Sequence, residues 1–254
     1  MYNGFNLSGK VVALTGSTAG MGLAIAKGLA QCGASIVVSS HLQEETEETA
    51  QKLLAEGYDA KGVKCDVMNS GDVASFGKRA TEAFGKVDTL FCLAAGPAPL
   101  GSLYDLTPEA LSEMLTTTVV TNLALIRQFL PGMAERRDGS IVVMSSIASM
   151  RANPALSGYG AAKAALNGIV RSIATEWGAF NIRANALAPS VVRTNFSKEI
   201  WSDPEREKMM LAKIPARRIA DPEDIVGAAI LLASPAGSYI SGQVLLIDGA
   251  RSIT

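Results

Sequence analysis

The chain has 254 residues, of which 48% are hydrophobic, and a formal net charge of −1. A near-neutral balance with no basic block leaves no electrostatic footprint for nucleic acid, and no apolar run is long enough to span a bilayer, the richest being Ile225 to Ala233. The N-terminus lacks a basic region followed by an apolar stretch. Cys32, Cys65, Cys92 and the single His41 form neither a disulfide frame nor a metal cluster, so a protein of the reducing cytoplasm is expected.

Apolar β-branched runs alternate with amphipathic stretches. Strands are expected at Val11 to Thr15, Ser35 to Ser39, Ala60 to Cys65, Thr89 to Leu93, Ser140 to Ser145, Arg183 to Ala188 and Gln243 to Ile247. Most read apolar almost without a break, which suits strands covered on both faces of a parallel sheet. Helices are expected at Met21 to Gln31, Gln43 to Glu56, Gly71 to Phe84, Pro108 to Glu135, Ser157 to Trp177 and Pro222 to Ser234. Thr107-Pro108 and Asp221-Pro222 read as helix starts, a capping side chain before a proline at the first helical position. The alternation predicts an α/β fold, a Rossmann-like doubly wound, mostly parallel seven-stranded sheet with helices on both faces. With no linker or repeat, residues 1–254 are expected to form a single domain.

The first strand runs into Thr15-Gly-Ser-Thr-Ala-Gly-Met-Gly22, and a helix follows. Gly16, Gly20 and Gly22 would let the backbone turn tightly and approach a pyrophosphate, whose charge a helix N-terminus favours. A tight turn with no ligand is the plainer alternative. Further on, Tyr159 and Lys163 stand four apart, on one helical face if Ser157 caps that helix. An ammonium one turn from a phenol favours the phenolate and lowers a pKa otherwise near 10, which would make Tyr159 an acid–base group. Ser146 could hydrogen-bond the same substrate oxygen. A packed ring beside a solvated amine is the competing interpretation.

Taken together these residues resemble the short-chain dehydrogenase/reductase family over essentially the full length. The resemblance is carried by Thr15 to Gly22, Asp66-Val67, Ser146, Tyr159-Gly-Ala-Ala-Lys163, and Asn181-Ile-Arg-Ala-Asn185 leading to Pro189 and Thr194. Ser146 lies thirteen residues before Tyr159, the family's usual offset. The resemblance implies NAD(P)(H)-dependent oxidation of an alcohol or reduction of a ketone or aldehyde. Tyr159 would be the acid–base residue, Ser146 the anchor of the substrate oxygen, and Lys163 both the pKa-lowering charge and a ribose ligand. Asp66 and Val67 would meet the adenine and Thr194 the nicotinamide amide. The turn residues Gly16, Ser17, Thr18, Gly20, Met21 and Gly22, the strand-end residues Ala94, Ala95 and Gly96, and Pro189 and Val192 complete the implied cofactor contacts.

The chain departs from the family in places. The usual Asn-Asn-Ala-Gly is here Cys92-Leu93-Ala94-Ala95, followed by Gly96. The family's catalytic asparagine, thirteen residues before the Leu-Pro proline Pro131, is Thr118. Thr118 lies in a β-branched run of poor helix propensity, Thr116 to Thr121, where local loosening is expected. A Thr118 hydroxyl could hold the family's relay water, while Asn122, one turn on, reads better as a structural amide. The usual Pro-Gly is Pro189-Ser190, which narrows the space beside the nicotinamide. An active enzyme with its relay altered at Thr118 is expected; a cofactor-binding protein without turnover is the alternative that the lost asparagines motivate.

At the end of the second strand, Ser40 takes the place of the acid that marks NAD-preferring relatives. Nothing there is expected to repel a 2′-phosphate, and Ser40 and His41 could donate to one, so NADP(H) is favoured and NAD(H) kept as the alternative. The implied substrate pocket holds Pro97, Pro99, Ile147, Met150, Leu156, Val191, Val192, Phe196, Ile200 and Trp201. That points to a mostly apolar small-molecule carbonyl or alcohol. Arg151 and Arg193 could meet an anionic substrate, or be solvated surface residues. The resemblance also implies a homotetramer.

Overall fold

The computed structural model describes residues 2–94, 96 and 101–254. Seven strands form one sheet: β1 (Val11–Thr15), β2 (Ser35–Val38), β3 (Ala60–Gly62), β4 (Thr89–Cys92), β5 (Gly139–Met144), β6 (Ile182–Pro189) and β7 (Val244–Ile247). Their order is β3-β2-β1-β4-β5-β6-β7, and every neighbouring pair is parallel. The expectation of a doubly wound sheet is met, and the sheet is parallel throughout.

Alternate residues of a strand point to opposite faces, and here both faces are apolar. Val11, Ala13, Leu90, Ile141, Val143 and Ala184 enter one core with α3 (Ser70–Phe84), α5 (Thr121–Arg136) and α6 (Ser157–Trp177). Val12, Leu14, Phe91, Val142 and Leu187 enter the other, with α1 (Gly20–Gln31), α2 (Gln43–Ala55) and α9 (Glu223–Ala233). This two-sided burial explains why the strands read as continuous apolar runs. The chain reverses direction across the sheet between β1 and β4, and in such folds ligands bind beyond the carboxyl ends of the strands at that point.

Several boundaries move. The expected helix Pro108 to Glu135 is not continuous. It divides into α4 (Pro108–Leu115), a π-helical turn at Thr116–Val120, and α5. The loosening sits on the β-branched threonines, and the Thr117 hydroxyl donates to the carbonyls of Glu113 and Met114 at 3.0 and 3.3 Å, competing with the helical ladder. Thr107 does cap α4, accepting from the amide of Ala110 at 3.2 Å. Asp221 does not cap α9 with its side chain; its amide donates to the Asp224 carboxylate at 2.8 Å. Two short helices between β6 and α9 went unread, α7 (Lys198–Trp201) and α8 (Pro204–Ala212), although Asp203-Pro204 carries the same start signal as Thr107-Pro108. No helix among the described residues is long and apolar enough to cross a membrane.

Candidate active site

The strand ends that face the switch point are in step: Thr15 lies beside Cys92, Cys92 beside Val143, and Met144 beside Leu187. The segments leaving these ends therefore gather along one crest. Beyond β1 the chain bends through Gly16 and Gly20, whose φ of 63° and 52° lie in the left-handed region that glycine adopts without strain. A Cβ at Gly20 would lie 3.1 Å from Cγ2 of Thr194, and one at Gly22 only 2.0 Å from the Gly16 carbonyl oxygen. The bend thus packs against the segment after β6, bringing Gly20 and Thr194 together across the crevice. Helix α1 starts there with no side-chain cap and no acidic residue in its first turn, so its leading amides are open to an anion. At the end of β2, Ser39 Oγ is buried with no hydrogen-bond partner among the described residues. These features fit a dinucleotide.

The other predicted contacts divide. Ser17 is fully buried; its hydroxyl donates to Leu14 and accepts from the amide of Ser39, which makes it a brace for the bend. Met21 packs against the core. Asp66 lies at the crest, its carboxylate accepting from the amide of Met68, with Val67 packed against the core beside it. The missing asparagine after β4 is covered by another group: Thr15 Oγ1 accepts from the amides of Leu93 and Ala94 at 3.2 and 3.3 Å. Leu93 itself packs into the core. Gly96 lies against Thr117 of the π-helical turn. Ala95, Pro97 and Pro99 fall outside the described residues.

One expectation at the end of β2 is overturned. The Glu45 carboxylate reaches the place thought free of negative charge, accepting from the hydroxyls of Ser40 at 3.0 Å and Thr18 at 3.4 Å. Ser40 Oγ also lies 3.4 Å from Nδ1 of His41.

Ser146 follows β5, leads a short 3₁₀ turn at Ile147–Ser149, and accepts from the amide of Ala148. Tyr159 and Lys163 share one face of α6, with the Lys163 Nζ 5.5 Å from the phenol ring centre. Ser157 is not the cap; Leu156 occupies that position, and Ser157 is the first helical residue. Lys163 is 3% exposed and donates to the carbonyl of Met144 at 2.7 Å, which pins it to the end of β5. Burial without a carboxylate partner pulls its ammonium down to about 8. The Tyr159 phenol does not show the expected depression. Burial raises it, and a hydrogen bond with Ser146 pulls the other way. Desolvation is the larger cause for both groups, and for the phenol it outweighs the Ser146 hydrogen bond.

Behind them lies a polar chain that sequence reasoning did not identify. Ser145 donates to Ser149, Ser149 to the Ser146 carbonyl, and Asn167 to Ser149 at 2.9 Å. The available signal was Asn167, one helical turn after Lys163. Across from α6, Thr118 is buried in the π-helical turn, and Asn122 donates its amide to the Thr118 carbonyl at 2.6 Å.

The segment after β6 carries Pro189, Ser190, Val192 and Thr194. Val192 is buried, and Trp201 of α7 donates to the Thr194 carbonyl at 3.1 Å. Ile147 is buried, whereas Met150 and Phe196 are exposed apolar groups near the crest. Arg193 pairs with Glu207 of α8 and stacks on Trp201 of α7, so its charge is already partnered. Arg151 donates to the Arg251 carbonyl, and Arg251 to Ser190 Oγ at 3.0 Å.

Comparison with known proteins matches residues 16–250 to the family model described as enoyl-(acyl carrier protein) reductase. Dehydrogenase/reductase SDR family member 4 of Pongo abelii is 37% identical over 96% of this chain and 87% of its own. A solved gluconate 5-dehydrogenase of Burkholderia cenocepacia J2315, in complex with NADP and tartrate, superposes with a TM-score of 0.93 at 27% identity, covering 99% of this chain and 98% of that one. A 7α-hydroxysteroid dehydrogenase complexed with NADH and 7-oxoglycochenodeoxycholic acid does so with a TM-score of 0.92 at 31% identity, covering 98% and 97%.

Proposed function

The chain belongs to the short-chain dehydrogenase/reductase family, oxidoreductases that act on CH–OH groups with NAD(P), and from that premise we propose that it interconverts a secondary alcohol and a ketone or aldehyde on a mostly apolar substrate. One observation carries this reading: Tyr159 and Lys163 lie on a single face of α6, and Lys163 is tied to the end of β5 two residues before Ser146. The bend at Gly16, Gly20 and Gly22, with Thr18, Asp66, Val67, Ala94, Pro189, Val192 and Thr194, would hold the dinucleotide. When bound, NAD(P)(H) supplies or accepts the hydride.

The chain's own residues handle the proton. In reduction Tyr159 donates its phenolic proton to the carbonyl oxygen, and Ser146 donates a hydrogen bond to the same atom. Burial keeps the phenol protonated at neutral pH, the form that carbonyl reduction needs. In oxidation Tyr159 first loses its own proton to solvent, and the phenolate, stabilised by the Lys163 cation, then takes the alcohol proton. The Thr118 carbonyl accepts from Asn122, and the Thr118 hydroxyl is assigned the place of the family's asparagine, holding the relay water.

The dinucleotide has two readings. Ser40 and His41 support NADP(H), in keeping with the NADP-bound gluconate 5-dehydrogenase. Glu45 supports NAD(H), because its carboxylate suits ribose hydroxyls. The proposal extends to a single-domain cytoplasmic homotetramer. The free cysteines suit a reducing compartment, and Leu246 on β7, at the sheet edge, leaves apolar surface for a second copy. A panel of ketones, aldehydes and secondary alcohols, followed at the NAD(P)H absorbance, tests the activity. Tyr159→Phe is expected to lower turnover by ~10²–10⁴-fold while dinucleotide affinity holds. Undiminished turnover in that variant would refute the role of Tyr159, and a wild type turning over nothing would leave a cofactor-binding protein.

A further inference from the structure

The adenosine end of the crevice contains a carboxylate that the proton chemistry does not use. Glu45 lies in the first turn of α2, three positions past Leu42, from where a side chain leans back over the helix N-terminus. Leu42 brings no capping group. One Glu45 oxygen accepts instead from Ser40 at 3.0 Å and Thr18 at 3.4 Å, tying the end of β2 to the glycine bend. No lysine or arginine pairs with Glu45 among the described residues. The two hydroxyls suited to a 2′-phosphate are therefore turned toward an anion.

We propose that Glu45 sets the dinucleotide preference, accepting from the adenosine ribose hydroxyls of NAD(H) and repelling the 2′-phosphate of NADP(H). The inference rests on the reading of the crevice as a dinucleotide site. A ribose hydroxyl is a donor and complements a carboxylate. A phosphate monoester carries about −1.5 to −2 charges near neutral pH and offers acceptors. Placed here, it would compete with Glu45 for the hydroxyls of Ser40 and Thr18 and leave two anions within a few ångströms. Ser40, Thr18 and His41 are thus a phosphate-type donor set that Glu45 holds in check. Glutamine keeps the length of the side chain and replaces one acceptor with an amide donor, so Glu45→Gln converts repulsion into attraction.

Titration calorimetry of the wild type, Glu45→Gln and Glu45→Ala with NAD⁺ and with NADP⁺ tests this, with a thermal melt of each variant as the folding control. The wild type is expected to bind NAD⁺ more tightly. Both variants are expected to bind NADP⁺ roughly tenfold or more tightly than the wild type does and to lose affinity for NAD⁺. A preference unchanged within about twofold in both variants, or a wild type already favouring NADP⁺, would overturn the role of Glu45 and leave the dinucleotide site standing. A wild type that binds neither would overturn both readings.

Discussion

Lys163→Met measures what the fold gives up to hold a cation beneath Tyr159. The lysine is 3% exposed, and burial lowers its pKa from 10.5 to about 8. At ~1.4 kcal/mol per unit, that difference destabilises the native state by ~3 kcal/mol at pH 7. The hydrogen bond to the Met144 carbonyl offsets ~1 kcal/mol of this. Methionine keeps the unbranched apolar stem, so the variant is expected to be more stable than the wild type by ~2 kcal/mol at pH 7. The sign follows from proton binding. Below about pH 8 both folded and unfolded lysine are charged, and the penalty is felt in full. Between about 8 and 10.5 the folded lysine is neutral while the unfolded one keeps its proton, so wild-type stability rises with pH. By about pH 9.5 the advantage of the variant is expected to fall close to zero. Urea unfolding followed by the fluorescence of Trp177 and Trp201, at both pH values, measures the difference. A variant less stable than the wild type at neutral pH, or an advantage that does not change with pH, would refute the reasoning.

Two other substitutions test the scaffold. Gly22→Ala would place a Cβ 2.0 Å from the Gly16 carbonyl oxygen, so a loss of ~1–3 kcal/mol is expected, together with loss of dinucleotide binding; thermal melts with and without dinucleotide report both. Asn122→Leu strips the amide from the Thr118 carbonyl inside the π-helical turn. Steady-state kinetics are expected to show a fall in kcat with little change in KM, and urea unfolding a loss of ~1–3 kcal/mol.

The layered sheet was legible because its signals are local. Val11 to Leu14 is apolar at every position since both faces of β1 are covered, and that pattern needs no knowledge of what covers them. The glycine bend was legible for the same reason, as φ near +60° at Gly16 and Gly20 is a property of those residues. Even the break at Thr116–Val120 was foreshadowed by five consecutive β-branched residues. The cap on α6 failed because a serine at a helix start can stand at the cap or one place inside, and only the backbone path after Ser146 chose. Glu45 escaped notice because it is five residues past Ser40, and its approach depends on how α2 docks beside β2.

The order of residues, by itself, determined that Tyr159 and Lys163 share one face of α6 and that a glycine bend precedes α1, since spacing along a helix or turn is a short-range matter. Tertiary structure alone decided the charge states of that pair. Whether the Tyr159 phenol goes up or down depends on the water that packing removes, weighed against the hydrogen bond with Ser146. Desolvation and that hydrogen bond come from atoms that only the fold brings near, and no local pattern of residues encodes them.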